Sequence, residues 1–219
     1  FFLVVLSGSK AALPDVGSCT FMEYYCAARK CSTNFIKGLQ RDPNGSCSAK
    51  FNVLTSCATK SAQSCAGSVL SKSQIDNIIR ESYKENIMCL EGGNAIPTMP
   101  SIGSPCAPSF STDADNCLRT FHEKFAANKA DPDLCSENAK AKKCMKNLIA
   151  SACTLPSTVQ EMLDLAFSDY NPFCKDNRDP GAIGNDQCYG YSGSPATAVM
   201  NMGVAKALLF YFLFLFFFV

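Results

Sequence analysis

Cysteine is the residue type with the greatest chemical potential in this chain, since it occurs fourteen times among 219 residues. Zinc sites need close clusters of Cys and His ligands, commonly with a Cys-x-x-Cys pair, and this pair does not occur in the sequence. The closest pair here is Cys26 and Cys31, and the chain has a single His. An even number of cysteines without metal-ligand spacing is typical of disulfides in an exported protein. The sequence therefore predicts up to seven disulfides, with no metal and no cofactor.

His122 is the only imidazole and thus the only ordinary general base of this type. It follows Phe121, at the position where the first half of the chain carries Ile36. A serine nucleophile needs such a base and often a Gly-x-Ser-x-Gly turn, which does not occur in the sequence; the nearest string, residues 190–194, lacks the final Gly. Because every cysteine is expected to be oxidised, a thiol nucleophile is also disfavoured. The sequence predicts that the chain is not an enzyme.

Acidic side chains gather in two segments, which raises the question of calcium binding or of the carboxylate pair of glycoside hydrolases. The first segment contains Asp113 and Asp115, but it has Cys117 where an EF-hand loop needs a ligand. The second, residues 176–186, has three aspartates without regular ligand spacing. We expect both segments to be ordinary solvated loops.

The order of the cysteines points to an internal duplication. The eighteen-residue interval from Cys47 to Cys65 recurs from Cys135 to Cys153, and the Asp-Pro pair at 42–43 recurs at 131–132. Cysteines 19 and 26 fall outside the repeat. The two matched series are Cys31, Cys47, Cys57, Cys65, Cys89 and Cys106 in the first half, and Cys117, Cys135, Cys144, Cys153, Cys174 and Cys188 in the second.

Apolar residues step by three or four along most of the cysteine-bearing segments, which is the period of an amphipathic helix. A second helix is expected in each half, opened by a capping box that begins at Ser73 or at Ser157. The matched residues on the first helices are Cys31, Phe35 and Leu39 against Cys117, Phe121 and Phe125. On the second helices they are Ile75, Ile78, Ile79 and Tyr83 against Val159, Met162, Leu163 and Phe167.

Helical geometry restricts the disulfide pairing. Cys144 and Cys153 would lie about 13 Å apart on one helix, beyond the ~7 Å limit for a bridge, so the bridges must join different helices. Cys19 and Cys26 either bond to each other or exchange partners with the first half. The sequence therefore predicts an all-α fold of two tandem disulfide-stapled helical modules, residues 12–106 and 107–191.

Both ends of the chain carry processing signals. Residues 1–11 are expected to be the remnant of a secretory signal peptide. The thirteen residues Ala207–Val219 are almost all Leu and Phe, but as a helix they would span only about 20 Å of the ~30 Å hydrocarbon core. Small residues lie upstream, before a spacer, which is typical of a glycosylphosphatidylinositol (GPI) attachment signal over residues 192–219. The candidate attachment residues are Ser192, Gly193 and Ser194.

Neither the net charge nor the glycosylation sequon identifies the binding partner. The formal net charge is +1, and it becomes −1 when both ends are removed with Lys10 and Lys206, so no basic stripe favours nucleic acid. Asn44 begins an Asn-Gly-Ser sequon after the first Asp-Pro pair and is the predicted N-glycosylation site. The alternative is an unmodified Asn-Gly turn.

These patterns together predict a non-enzymatic protein that is GPI-anchored to the outer leaflet of the plasma membrane. It would bind an extracellular partner as a receptor, co-receptor or adhesion component. This architecture resembles that of the glial-cell-line-derived factor co-receptors, although the cysteine strings share no diagnostic motif with them. The alternative is a carrier or sensor of a small apolar ligand, such as a lipid or sterol. Its cavity would be lined by residues such as Ile78, Ile79, Met162, Leu163 and Phe167.

Overall fold

The fold was analysed in a computed structural model that describes residues 15–94 and 105–191. The predicted signal remnant and the GPI signal, with Ser192, Gly193 and Ser194, lie outside these residues. Within the described part, the chain forms helices and only isolated β-bridges, so the all-α prediction is confirmed. The helices are α1 (Phe21–Arg41), α2 (Cys47–Ala66), α3 (Lys72–Ser82), α4 (Glu85–Leu90), α5 (Phe110–Ala127), α6 (Leu134–Ala152) and α7 (Ser157–Ala166).

Two helical hairpins form the frame of the molecule. Helices α1 and α2 are joined by the short turn that contains Asn44, and α5 and α6 are joined by residues 128–133. Each hairpin buries one stripe of its first helix. Phe35 and Leu39 of α1 and Phe121 and Phe125 of α5 are at most 3% exposed, as their four-residue spacing predicts.

A capping box opens α3, but it is not the predicted one. The hydroxyl of Ser71 accepts a hydrogen bond from the amide of Gln74, and the side chain of Gln74 accepts one from the amide of Ser71. Ser73 already lies inside the first turn, so the prediction of a cap at this residue is wrong. The N-cap lies two residues earlier than predicted, so the amide of Gln74 completes the capping box instead of the carboxylate of Asp76. The apolar residues of α3 still face the core.

The predicted cap of α7 is also wrong. Ser157 is the first helical residue, Pro156 occupies the N-cap position, and no side chain caps the helix. Proline is well suited to the start of a helix because its fixed φ agrees with the helical value and its missing N–H would have no partner there.

All fourteen cysteines form disulfides, which confirms the predicted seven bridges. Each bridge joins separate elements, as helical geometry required. Their Cα–Cα distances of 3.9–6.0 Å lie close to or within the ordinary range. The pairs are Cys19–Cys65, Cys26–Cys188, Cys31–Cys57, Cys47–Cys89, Cys106–Cys153, Cys117–Cys144 and Cys135–Cys174.

Three cysteines correct the sequence-based match. Cys106 and Cys188 were matched as the last cysteines of two series, yet Cys106 bonds to α6 and Cys188 bonds to Cys26 of α1. The bond of Cys106 therefore crosses the predicted module boundary at 106/107. Neither pairing that the sequence left open for Cys26 is correct, because its partner lies 162 residues away. The spacing of cysteines within each half of the chain does not predict a disulfide between residues so far apart in the sequence.

The C-terminal segment, residues 168–191, lies along α1. The ammonium of Lys37 donates to the carbonyl of Cys174 at 2.6 Å, and Gln40 donates to that of Phe173 at 3.1 Å. The hydroxyls of Thr33 and Tyr170 lie 2.6 Å apart. Since these bonds join residues more than 130 positions apart, the end of the chain is bound to its first helix.

One apolar core runs through both hairpins. The ring of Phe173 meets Phe121 edge-on with centroids 5.0 Å apart and lies 5.9 Å from Phe125. Gly92, at a positive φ of 63°, follows α4 and passes over the ring of Phe121, where an added Cβ would lie 2.9 Å from it. Only glycine allows this approach without displacing the ring. The two hairpins thus share a core in addition to their separate disulfides.

Candidate functional site

His122 lies on α5 and makes a structural contact. One ring nitrogen is 2.6 Å from the carbonyl oxygen of Asn94, and the ring packs beside Phe121. This contact ties α5 to the chain after α4. The imidazole is therefore engaged with the backbone.

The predicted acidic segments are held by cations of the protein itself. Asp113 and Asp115 lie within α5, so the expectation of a loop for this segment is wrong, and Asp115 pairs with Arg119 on the helix surface at 3.3 Å. Asp179 lies 2.8 Å from Lys142, and Asp186 pairs with Arg29. Across the described residues, no three side chains of the metal-binding types form a group that could hold an ion.

One buried cation, Arg29, and one half-buried cation, Lys142, bind the C-terminal segment to the helices. Arg29 is 7% exposed, and its guanidinium stacks 4.1 Å from the centroid of the Tyr170 ring. Burial would raise the pKa of Asp186, but the amide of Cys188 and the guanidinium of Arg29 bring this pKa below its usual value. Burial lowers the pKa of Lys142 despite its pairing with aspartate. These groups hold the fold together.

A small internal cavity lies between α1 and the C-terminal segment. Its volume is about 30 Å³, and Tyr25, Ile36, Met88 and Phe173 contribute to its walls. A space of this size holds about one water molecule and is too small for a lipid or sterol. The residues expected to line a ligand cavity, namely Ile78, Ile79, Met162, Leu163 and Phe167, do not line this one.

A much larger, open depression lies between α2 and α3 and continues to the start of α4. It has a volume of about 1070 Å³. We call it the α2–α3 groove. Its lining residues are Phe51, Asn52, Val53, Thr55, Ser56, Cys57, Thr59, Lys60, Ser61, Gln63, Lys72, Asp76, Ile79, Arg80, Tyr83, Lys84 and Glu85.

The α2 wall of the groove is a polar stripe. Phe51, Thr55, Thr59 and Gln63 follow one another by four residues, so they lie on one side of the helix and are half-buried. The neighbouring stripe of α2, with Leu54, Ala58 and Ala62, faces the core. Helix α2 thereby has a buried apolar side and a second side of hydroxyls and amides open to the groove.

The floor of the groove is apolar, whereas the α3 wall carries Lys72, Asp76 and Arg80. Ile79 and Tyr83 form part of the floor, next to the Cys31–Cys57 bridge, and are 1% and 6% exposed. Burial raises the pKa of Tyr83 to about 12, so its hydroxyl, which is bonded to Ser32 of α1, is protonated at neutral pH. The exposed apolar surface of the groove therefore lies on α2, at Val53, which is 69% exposed.

Cations outnumber carboxylates around the groove. Lys60, Lys72, Arg80 and Lys84 line it together with two acidic residues, Asp76 and Glu85, which gives a formal charge of +2. Of these cations, Lys84 pairs with Glu81 of α3 at 2.7 Å. The other three form no ion pair with any residue in the described ranges.

Comparison with known protein families, curated proteins and solved structures finds no match to this chain. The groove and its charges are therefore the features from which a function is argued. None of the helices described here has the length and apolar character needed to cross a bilayer.

The groove was not identified from the sequence. Its basic residues are scattered over α2, α3 and the turn before α4, so no basic run marks them. The four-residue spacing of Thr55, Thr59 and Gln63 was the available signal, because it places polar groups on one side of a helix whose other side is buried. Asn44, the predicted glycosylation site, is exposed in the α1–α2 turn and does not line the groove.

Proposed function

We propose that this chain is a non-enzymatic cell-surface protein, GPI-anchored in the outer leaflet, that binds an extracellular protein partner. The α2–α3 groove is the observation that carries the proposal, because it is large, open and lined by groups suited to recognition. Clefts of such a size bury enough surface to hold a segment of another molecule. A receptor, co-receptor or adhesion component would use such a groove in the same way.

The disulfide frame supports a binding role. Helices α2 and α4 are joined by Cys47–Cys89, and α1 and α2 by Cys31–Cys57, so the α2 wall of the groove is cross-linked to its neighbours on both sides, while α3 is held by packing. A surface held in one conformation loses little freedom when a partner binds.

The position of the anchor is consistent with this role. Tyr191, the last described residue, lies three positions after Cys188, which is bonded to α1. An anchor attached at Ser192, Gly193 or Ser194 would follow a covalently fixed point by only a few residues. The body of the protein would then be displayed close to the membrane.

We further propose that the two hairpins arose by duplication. Three bridges of the first half match three of the second in order and in separation: 46 against 47 residues, 26 against 27, and 42 against 39. In this match Cys19 corresponds to Cys106, and the cysteines left over are Cys26 and Cys188, which bond to each other. An experimental structure in which the two hairpins superpose poorly would contradict the duplication.

Two measurements on cells expressing the full chain test the proposed function. Treatment with a phosphatidylinositol-specific phospholipase should release the protein into the medium, whereas a matched chimera with a transmembrane span should stay on the cells. The released protein should bind saturably to the surface of other cells. Retention after the treatment contradicts the anchor, and absence of saturable binding contradicts the partner-binding role.

The small-ligand alternative has its own outcome. Native mass spectrometry of the released protein should show a mass fourteen hydrogens below that of the same protein after reduction, and no non-covalently bound molecule. An added mass that leaves on denaturation would instead indicate a carrier.

A further inference from the structure

We infer that the α2–α3 groove accepts an acidic polypeptide segment of its partner. The inference rests on the proposed binding role of the groove and names the chemistry of the segment that enters it. The argument uses the unpaired cations, the floor and the length of the groove.

Three of the four groove cations form no ion pair among the described residues, whereas more than half of the described cations elsewhere do. Lys50, Lys124 and Lys146 each lie within 3.1 Å of an aspartate. Lys60 and Lys72, in contrast, are exposed and have no carboxylate within pairing distance among the described residues. A groove in which cations outnumber carboxylates attracts an anionic ligand.

The start of α3 adds to this positive field. Lys72 is the first residue of α3, and the first turn of this helix has no acidic residue. A helix N-terminus has a partial positive charge that an acidic side chain in the first turn normally offsets. The Ser71–Gln74 capping box already occupies amides at this end, so Lys72 itself is the charge that the start of α3 contributes to the groove.

The remaining lining favours a polypeptide over a purely anionic polymer. Above the buried floor of Ile79 and Tyr83, the half-buried Phe51 and the 69% exposed Val53 provide apolar contact area for side chains. Asn52, Thr59 and Gln63 provide amide and hydroxyl groups that can bond to peptide groups. The wall from Asn52 to Gln63 is about 16 Å long, so an extended segment of about five residues covers it.

Asp76 and Glu85 set limits on the occupant. Asp76 lies on α3 between Lys72 and Arg80, and Glu85 opens α4. Carboxylates of the segment are therefore expected beside Lys60 and Lys72 at one end and beside Arg80 at the other. Uncharged residues would lie opposite Asp76.

The test uses the full chain, purified in detergent micelles, and a fluorescent peptide of about ten residues rich in Glu with Leu between them. Fluorescence anisotropy should show binding of this peptide and little binding of the same peptide with Gln in place of Glu. Raising NaCl from about 0.1 M to about 1 M shortens the screening length from about 10 Å to about 3 Å and should weaken the binding.

Charge reversal at one end of the groove is the decisive variant. Lys60→Glu with Lys72→Glu should weaken binding of the acidic peptide about tenfold, because two exposed ion pairs worth up to about fivefold each are lost. The matched control is Lys30→Glu with Lys143→Glu, two exposed lysines outside the groove that change the net charge equally. This control should retain most of the affinity.

Folding is checked for both double variants by circular dichroism and by the count of free thiols. If the Glu variant does not fold, Lys60→Gln with Lys72→Gln replaces it and should weaken binding in the same direction by a smaller factor. Equal losses in the groove and control variants overturn the inference, as does absence of binding to the wild-type chain. Groove-dependent binding of heparin without binding of the peptide also overturns it, and would indicate a sulfated glycan.

The two levels of the proposal fail separately. If the released protein binds cells saturably but Lys60→Glu with Lys72→Glu leaves that binding unchanged, the acidic-segment inference is wrong and the partner-binding role stands. If the acidic peptide binds in the groove but no cell surface binds the protein, the chemistry of the groove stands without the proposed role.

Discussion

At the scale of single residues, the sequence does not reveal which polar side chains of α1 bind the C-terminal segment. Arg29, Thr33, Lys37 and Gln40 follow one another by three or four residues on α1, so they share a side of the helix. In isolation such a row resembles a solvated helix surface. Its partners are aromatic, carbonyl and carboxylate groups that lie more than 130 residues later in the chain.

Replacement of Asp186 by Asn should destabilise the protein. The change leaves Arg29, which is 7% exposed, without its carboxylate, and a buried charge that loses its partner costs about 1–3 kcal/mol. The free energy of unfolding, measured with guanidinium chloride, should fall by this amount. Asp115→Asn is the control, because the Asp115–Arg119 pair is about half exposed and should contribute little. Equal effects of the two variants would contradict this role of Asp186.

The same pair predicts a pH dependence. The pKa of Asp186 in the folded protein lies below its usual value. Its contribution is therefore complete above the unfolded pKa, near 4 by the usual value for Asp, and is lost as the pH falls through the folded pKa. The stability difference between the wild type and Asp186→Asn should be full at about pH 6 and smaller at about pH 3. A difference that grows on acidification would show that the carboxylate is not stabilised by Arg29.

At the scale of elements, helices were predictable and their first residues were not. The four-residue spacing of Phe121 and Phe125 placed them correctly on one buried face. The caps of α3 and α7 were wrong. Ser68, Ser71 and Ser73 lie near the start of α3, so sequence spacing permits more than one box there, whereas Pro156 takes the N-cap position of α7. Which serine caps is decided by the turn that brings the apolar face onto the core.

Removal of the observed cap tests this point. Ser71→Ala should destabilise α3 by about 1 kcal/mol, since the amide of Gln74 loses its acceptor. Ser73→Ala, at the residue first predicted to cap, should cost less. Amide hydrogen exchange in α3 measures both effects, and faster exchange in the Ser73 variant than in the Ser71 variant would contradict the observed cap.

At the scale of the whole molecule, one disulfide joins the first helix to the end of the chain. Cys26–Cys188 closes 162 residues, whereas the six other bridges close 26 to 47. A bridge across a long stretch restricts the unfolded chain more than a short one, although the other bridges here shorten the effective loop. This disulfide also lies next to the Arg29–Asp186 pair, so covalent and ionic contacts hold the same segment.

Replacement of Cys26 and Cys188 by Ser should release that segment. We expect a loss of about 2–4 kcal/mol in the free energy of unfolding. Trypsin should cleave faster after Lys175 and Arg178, while Cys135–Cys174 keeps the preceding residues in place. Mass spectrometry of the digest measures the rate. The control is the variant with Cys47 and Cys89 replaced by Ser. Equal cleavage rates in the two variants would contradict the conclusion that Cys26–Cys188 itself holds the C-terminal segment on α1.

The sequence by itself determined the helical character and the oxidation of every cysteine. Amphipathic periodicity is visible within a few turns of helix and predicts the helices. An even cysteine count without metal-ligand spacing is a property of composition and predicts disulfides. Only the tertiary structure decided which cysteines bond, which serine caps α3, and where α2 and α3 leave an open groove. These depend on distances between residues far apart in the chain. Such distances are set when the shared core packs, with Phe173 of the last segment against Phe121 of α5, and no spacing along the chain encodes them.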